Sequence, residues 1–303
     1  MMKLLITGSL KKDDAFFARL AGEGYRITYI ADERIPMEEQ NIDPACFEGV
    51  ICNSLFLYTQ IEKFSSLRFI QLTSAGFDRV PLDYVRGHHI EIYNAKGIYS
   101  VPMAEYAVCS VLQFCKQSHF FAENQRCHRW EKSRDLLELY GKRVCIIGCG
   151  AVGTECARLF RALGCEVAGI NRTIREDPNF ERITPLSQID REMPKADVVI
   201  LTIDLNKDTY HLIDAQRLAL MKSGTVLVNM SRGGVVDTAA LILTLPHLRG
   251  AALDVFEEEP LSAESPLWDM ENVIITPHNA FLSEQTTIRI QRLIIENLRT
   301  CKR

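Results

Sequence analysis

Three kinds of side chain in the last quarter of the sequence, an arginine, a group of carboxylates and a histidine, have the types that acid–base chemistry on a carbonyl group requires. Arg232 follows an apolar run and precedes two glycines, four carboxylates lie within residues 254–259, and His278 follows a proline. An arginine can orient a carboxylate and polarise a carbonyl. A histidine can protonate the developing alkoxide, and a nearby acid keeps that histidine protonated. Together the three types indicate reversible hydride transfer to a keto acid.

Each of these side chains also has a plainer interpretation. Arg232 could form a surface salt bridge, the acidic run 254–259 could be a solvated loop, and His278 could be structural. We favour the functional interpretation because all three follow predicted strands, and ligands of parallel sheets gather at the carboxyl ends of strands.

A glycine turn provides the second chemical signal. The apolar run 144–147 meets Gly148, Gly150 and Gly153 in GxGxxG spacing, and a helix-like stretch follows. Gly148 would make the tight turn, Gly150 would let the backbone approach a pyrophosphate, and Gly153 would let the helix pack on the strand. The predicted cofactor contacts are Gly148, Gly150, Ala151, Val152 and Gly153. The alternative is a strand–helix turn that binds nothing.

The elements that must position these residues alternate between strands and helices. Predicted strands are 3–7, 26–30, 50–52, 69–72, 91–93, 143–147, 166–170, 197–202, 225–229, 250–253 and 273–276. This alternation predicts an α/β fold with parallel sheets covered on both faces. One long helix is predicted from about Val101 to Arg126, and a last helix from about Ser283 to Cys301 would return the chain to its first domain.

The composition narrows the class of protein. The chain has 303 residues, a formal charge of −4 and 47% hydrophobic residues, which fits two globular domains without a nucleic-acid or membrane surface. The start of the chain reads as a strand and is too short for a signal peptide, so we expect a cytoplasmic location. Ten scattered cysteines without a CxxC pair predict reduced thiols and no metal site.

These motifs together resemble the D-isomer-specific 2-hydroxyacid dehydrogenases, the family of phosphoglycerate, glyoxylate and hydroxypyruvate enzymes. The similar stretches, which span about residues 70 to 280, are 73–78, 103–105, 140–153, 229–237, 253–260 and 276–278. The resemblance implies that Arg232 binds the substrate, that His278 donates the proton, and that Glu259 is the partner of His278. It implies further that Asp254 lies beside the cofactor and that backbone N–H groups of Ser74, Ala75 and Gly76 hold the substrate carboxylate. The remaining implied cofactor contacts are Ile203, Asp204, Thr209, Met230 and Ser231.

The resemblance also implies an architecture of two doubly wound parallel-sheet domains. A Rossmann dinucleotide-binding domain, residues 98–282, would be inserted into a flavodoxin-like substrate domain, residues 1–97 plus 283–303. The family further implies a cleft between the domains that closes on binding, and a homodimer built on the nucleotide-binding domain.

Two segments depart from the family pattern. Asn171, Arg172 and Thr173 stand where many members carry an aspartate for the ribose of NAD, 18 residues (171 − 153) after Gly153. An arginine can pair with a 2′-phosphate, so we predict NADP, with NAD as the alternative if Arg172 points to solvent. In the loop after the strand 197–202, Asp204 replaces a frequent proline, which puts the cofactor contacts of that loop in question.

The predicted function is therefore an NAD(P)-dependent oxidoreductase acting on a small 2-keto or D-2-hydroxy acid such as glyoxylate or hydroxypyruvate. Two alternatives remain open: a nucleotide-sensing binding protein on the same fold, and a phosphite-type dehydrogenase. A formate-type enzyme is disfavoured because that branch pairs its histidine with a glutamine, whereas this chain has Glu259.

Overall fold

The computed structural model describes residues 1–301 and divides the chain into two compact units. One unit consists of residues 1–99 and the segment that starts at Ser283, and the other is Ser100–Leu282. The strands are β1 Met2–Thr7, β2 Tyr25–Ile30, β3 Gly49–Cys52, β4 Phe69–Leu72, β5 Glu91–Tyr93, β6 Arg143–Ile147, β7 Glu166–Asn171, β8 Arg182–Pro185, β9 Val198–Leu201, β10 Val226–Asn229, β11 Gly250–Leu253 and β12 Val273–Ile275. The α-helices are α1 Asp14–Gly22, α2 Leu82–Gly87, α3 Ser100–Cys115, α4 Ser118–Arg126, α5 Ala151–Ala162, α6 Ile189–Glu192, α7 Ala215–Leu220, α8 Thr238–Thr244 and α9 Glu284–Cys301.

The first unit contains a five-stranded parallel sheet with the order β2-β1-β3-β4-β5. All residues of β3 and β4 are buried, as expected of parallel strands that are covered on both faces. Helix α9 belongs to this unit and buries Ile290, Ile294 and Leu298, which lie one above the other at intervals of four residues.

The second unit contains a seven-stranded parallel sheet with the order β12-β11-β10-β9-β6-β7-β8. The chain leaves β6 toward β7 on one side and later returns to β9 on the other, so the sheet has its topological switch point between β6 and β9. Helix α5 buries Cys156, Ala157 and Phe160 against the sheet core. Together with the first unit, this doubly wound arrangement confirms the predicted α/β fold class.

The predicted single helix over residues 101–126 is wrong, because α3 ends at Cys115 and α4 begins at Ser118. Gln117, between them, has a left-handed backbone conformation with φ 50°. Its side chain donates to Asp135 Oδ2 at 3.0 Å and accepts the Ser133 hydroxyl at 2.7 Å. These contacts hold a conformation that is unfavourable for a residue with a Cβ.

No helix within residues 1–301 combines the length and apolar character that crossing a membrane would need. In the same residues, no group of histidine, cysteine and acidic side chains is arranged to hold a metal ion.

Candidate functional site

The strands of the second unit end in register, which sets the candidate residues in a row along one sheet edge. Ile147 pairs with Leu201, Leu201 with Asn229, Asn229 with Leu253, and Leu253 with Ile275. The residues that follow these strands therefore begin five neighbouring loops. These loops contain the glycine turn, the segment 202–212, Arg232, Glu259 and His278.

The glycine turn has the geometry that its spacing predicts. Gly148 has φ +101°, and a Cβ there would lie 2.6 Å from the backbone of Thr202 and Ile203. A Cβ at Gly153 would lie 2.0 Å from the carbonyl oxygen of Gly148. Both positions therefore require glycine for the fold itself, because any side chain would collide with backbone.

Gly150 differs from these two glycines. It caps the N-terminus of α5 in an extended conformation with φ −75°, and apart from its own chain neighbours no heavy atom of residues 1–301 lies within 4 Å of where its Cβ would be. No acidic residue stands in the first turn of α5. Open space next to the unpaired N–H groups of a helix N-terminus suits a pyrophosphate, so the residues present fit a dinucleotide.

The segment after β7 contacts the glycine turn directly. Asn171 Oδ1 accepts the N–H of Cys149 at 3.2 Å, and its Nδ2 donates to Thr173 O at 2.9 Å. Arg172 and Thr173 are exposed. Arg175, which sequence reasoning missed, donates from Nη2 to Cys149 O at 2.9 Å. A second arginine three residues after Arg172 was the only available signal.

Arg175 makes further hydrogen bonds around the glycine turn. Its Nη2 also bonds Thr154 Oγ1 at 2.7 Å and Asp177 Oδ2 at 3.1 Å. Arg172 carries no such contact in the described residues. The structure thus separates the two arginines into one that braces the glycine turn and one that projects freely from it.

The loop after β9 is closed by its own hydrogen bonds. Thr209, fully buried, donates to Asp204 O at 2.7 Å and accepts the N–H of Asn206 at 2.7 Å. Asp204 is exposed and Ile203 is half-buried. Of the residues predicted to contact the cofactor here, Thr209 acts in this structure as an internal brace of the loop.

In the loop after β10, Arg232 is exposed, whereas the two residues before it, Met230 and Ser231, are buried. Met230 packs in the hydrophobic core, and Ser231 is buried and donates to Asn229 Oδ1 at 2.9 Å. Arg232 is exposed, and its Nη1 donates to Ser231 O at 2.7 Å. No carboxylate of residues 1–301 pairs with Arg232, so the salt-bridge interpretation finds no partner in this part of the chain.

His278 and Glu259 lie side by side. His278 Nδ1 is 2.9 Å from Glu259 Oε2, and the side chains are 42% and 39% exposed. The other oxygen of Glu259 accepts the N–H of Phe256 at 3.1 Å. The imidazole is therefore held at Nδ1 by a carboxylate, and Nε2 stays available for proton exchange.

Asp254 is nearly inaccessible, with 1% of its surface exposed. Its Oδ1 accepts the Thr276 hydroxyl at 2.6 Å and the N–H of Asn279 at 2.7 Å, and its Oδ2 accepts the N–H of Ala280 at 3.0 Å. Its carbonyl accepts the N–H of His278 at 2.8 Å. These bonds from Asp254 therefore fix the backbone of His278 and of the two residues that follow it.

The first unit holds the predicted carboxylate-binding turn. Ser74 O accepts the N–H of Ala95 at 2.8 Å, and Ala75 O accepts from Asn94 Nδ2. The Ser74 hydroxyl donates to Gly76 O at 3.1 Å. The carbonyls of this turn are thus occupied, whereas its N–H groups have no acceptor within the described residues.

Comparison with known proteins agrees with this geometry. Residues 108–280 match the family model of the D-isomer specific 2-hydroxyacid dehydrogenase, NAD binding domain. The chain is 32% identical over 243 residues to an (S)-sulfolactate dehydrogenase of Chromohalobacter salexigens, covering 79% of each chain. It is 30% identical over 249 residues to a glyoxylate reductase of Korarchaeum cryptofilum, covering 80% of this chain and 75% of the relative.

A solved structure shows the same fold over nearly the whole chain. The D-lactate dehydrogenase of Aquifex aeolicus, complexed with NAD and lactic acid, aligns with a TM-score of 0.79 and 25% identity. The alignment covers 98% of this chain and 94% of that chain. The matched family model identifies the second unit as a Rossmann domain that binds a nicotinamide nucleotide. The chain belongs to the D-isomer specific 2-hydroxyacid dehydrogenases.

Proposed function

We propose that this protein reversibly transfers a hydride between a nicotinamide cofactor and a small D-2-hydroxy acid or 2-keto acid of the glyoxylate or hydroxypyruvate type. The observation that carries the proposal is the 2.9 Å pair of His278 and Glu259, which lie on the next two loops along the sheet edge from Arg232, an arginine that pairs with no carboxylate of residues 1–301. Relatives named as a glyoxylate reductase and a sulfolactate dehydrogenase support the substrate class.

Three side chains have separate roles in the proposed reaction. The bound nicotinamide supplies or accepts the hydride. In the direction of reduction, His278 gives the proton on Nε2 to the carbonyl oxygen as that oxygen gains negative charge. Glu259 stabilises the protonated imidazole from Nδ1. Arg232 orients the carboxylate of the acid and polarises its carbonyl. In the direction of oxidation, His278 takes the proton back.

The cofactor is assigned to the glycine turn, with Gly148, Gly150 and Gly153 around the pyrophosphate. We assign NADP as the preferred nucleotide because Asn171 is neutral and is engaged with the turn, while Arg172 is exposed and unpaired in residues 1–301. An unpaired guanidinium can bind a 2′-phosphate, whereas an aspartate in place of Asn171 would repel it.

We also propose that the N–H groups of Ser74, Ala75 and Gly76, which have no acceptor within residues 1–301, form a small anion site in the first unit. Adjacent N–H groups in a turn form a concave donor set that binds anions. We assign the substrate carboxylate to this turn, and with it the role of substrate domain to the first unit.

The second unit is assigned a homodimer interface on its α3 and α5 faces. A shallow groove there is lined largely by apolar side chains, among them Val108, Leu112, Leu159 and Leu163. Apolar surface of this kind is typical of contact between subunits. Sedimentation should give a mass near twice 34.4 kDa. A monomer at micromolar concentration contradicts this assignment.

The experiment for the proposed function is a substrate panel. The purified protein is mixed with NADPH or NADH and with glyoxylate, hydroxypyruvate, pyruvate, 3-sulfopyruvate or branched 2-keto acids, and absorbance at the nicotinamide wavelength is followed. We expect turnover on at least one acid. Phosphite with NADP is included, and turnover on it alone would favour the phosphite-type alternative. Cofactor binding without turnover on any compound contradicts the proposal and favours a nucleotide-sensing protein.

A further inference from the structure

A second histidine–glutamate pair takes its glutamate from the same loop as the first. His211 Nε2 is 2.8 Å from Glu257 Oε2, and the other oxygen of Glu257 accepts the N–H of Thr238 at 2.8 Å. Both side chains of the pair are 31% exposed. Glu257 thereby joins three loops: its own, the loop that contains His211, and the segment that leads from Arg232 to Thr238.

His211 is fixed relative to the segment that follows Arg232. Its N–H donates to Gly234 O at 2.8 Å, and the N–H of Ile213 donates to Val235 O at 3.0 Å, so the two segments run side by side. Its ring stacks on Tyr210 with centroids 4.0 Å apart, and its backbone is left-handed with φ 48°. Because both the backbone and the ring of His211 are held in place, the bond from its imidazole also restricts the position of Glu257.

The loop that contains Glu259 rests on the same segment. A Cβ at Gly233 would lie 1.8 Å from the carbonyl carbon of Phe256 and 2.3 Å from the nitrogen of Glu257, so the two backbones are in direct contact. The N–H of Phe256 in turn donates to Glu259. The position of Glu259 therefore depends on where residues 256 and 257 are held.

We propose that Glu257 and His211 are positioning residues that keep Glu259 against His278 and keep the Arg232 loop in register with it. Neither needs to touch substrate, because both act through the loops that they join. The inference rests on the proposed function for its catalytic consequence, whereas its structural consequence can be measured without turnover.

The kinetic test compares Glu257→Gln and His211→Ala with a matched control. Glu258→Gln is that control, because Glu258 is the exposed neighbour and its carboxylate has no bonding partner in residues 1–301. We expect Glu257→Gln and His211→Ala to lower kcat/KM for the keto acid by roughly 10- to 100-fold, since small misplacements of reacting groups have effects of this size. The Kd for cofactor should stay within about twofold of the unaltered protein. His211→Gln, which keeps an N–H donor toward Glu257, should recover part of the loss. Values equal to those of Glu258→Gln overturn the proposal.

A second readout does not depend on activity. At a pH where imidazoles are neutral, long-range ¹⁵N NMR reports which ring nitrogen bears the proton, and His278→Ala assigns the signals. The bond from Nδ1 to Glu259 should make the Nδ1–H tautomer of His278 dominant in the unaltered protein. We expect Glu257→Gln to shift His278 toward the Nε2–H tautomer and Glu258→Gln to leave it unchanged. An unchanged tautomer in Glu257→Gln overturns the proposal even if the enzyme turns over. A shifted tautomer supports it even if the substrate panel finds no turnover.

Discussion

Asp254 accepts the backbone N–H of Asn279 at 2.7 Å, and this bond fixes the turn that contains His278. The same carboxylate accepts the N–H of Ala280 and the hydroxyl of Thr276. His278 has a left-handed backbone with φ 52°, and its own N–H donates to the carbonyl of Asp254. A strained residue between fixed neighbours is typical of functional sites.

Replacing Asp254 with alanine should destabilise the protein and disturb His278. The buried N–H of Ala280 and the part-buried donors of Thr276 and Asn279 would lose their acceptor. Each such loss costs up to ~1–3 kcal/mol, and less where water can replace the acceptor, so we expect the free energy of unfolding to fall by about 2–4 kcal/mol. Asp254→Asn keeps one acceptor oxygen and should lose less. Urea unfolding measures the change. Asp269→Ala, at an exposed acid, is the control, and equal losses for the two alanine variants would contradict the anchoring role.

Removing the imidazole of His278 should abolish most turnover while leaving cofactor binding intact. We expect His278→Ala to lower kcat by ~10²–10⁴-fold, the usual contribution of a positioned acid. Glu259→Gln should have a smaller effect, because a neutral amide can still accept from Nδ1 but stabilises the protonated ring less. Steady-state kinetics with the best acid of the panel measures both effects. A kcat unchanged in His278→Ala would reject its role.

The sequence predicts the core of this fold well because its buried strands have local signatures. The strands β6, β10 and β11 are nearly continuous apolar runs, and each ends at glycine or polar residues. Once the sheet is known to be parallel, their carboxyl ends must lie at one edge, so Arg232 and Glu259 are expected at the same edge. That their loops are neighbours follows from the pairing of β10 with β11, which the structure shows.

Other features depend on contacts that a local pattern does not contain. No proline or glycine marks the break at Gln117 in the sequence. The break is stabilised by hydrogen bonds to Ser133 and Asp135, which come more than fifteen positions later in the chain. The bond of Arg175 to the glycine turn depends on the path of the loop after β7. The anchoring bonds of Asp254 likewise join residues that are more than twenty positions apart in the sequence.

The glycines of the turn should respond differently to alanine. Gly150→Ala should fold normally, because the added methyl group meets open space, yet it should weaken cofactor binding by occupying that space. Gly153→Ala should lose both stability and binding, because its methyl group would collide with Gly148 O. Thermal unfolding and nucleotide fluorescence titration separate the two effects. Unaltered cofactor affinity in Gly150→Ala would argue against a pyrophosphate at this position.

Replacing each of the two arginines after β7 should change the Kd values for NADPH and NADH in different ways. Arg172→Ala should raise the Kd for NADPH by about tenfold and leave the Kd for NADH unchanged, because one charge-assisted bond to a phosphate is lost. Arg175→Ala should raise both values, since it loosens the glycine turn that both nucleotides share. Fluorescence titration of each variant with each nucleotide gives the four constants. Equal effects of Arg172→Ala on both nucleotides would contradict a 2′-phosphate contact.

Glu257 should make the stability of the protein depend on pH. Burial raises its pKa, but the hydrogen bonds from Thr238 and His211 outweigh burial and lower the pKa below its ordinary value. A carboxyl whose folded pKa is lowered contributes stability above its unfolded pKa of about 4.3, and this contribution is lost as the pH falls through the folded pKa. Glu257→Gln lacks this contribution, so the difference in unfolding free energy between it and the unaltered protein should be largest above about pH 5 and should shrink as the pH falls below about 4.3. Urea titrations at several pH values measure the difference. The exposed Glu258→Gln should show a difference that is small throughout, and the same pH dependence in both variants would contradict the role of the Glu257 contacts.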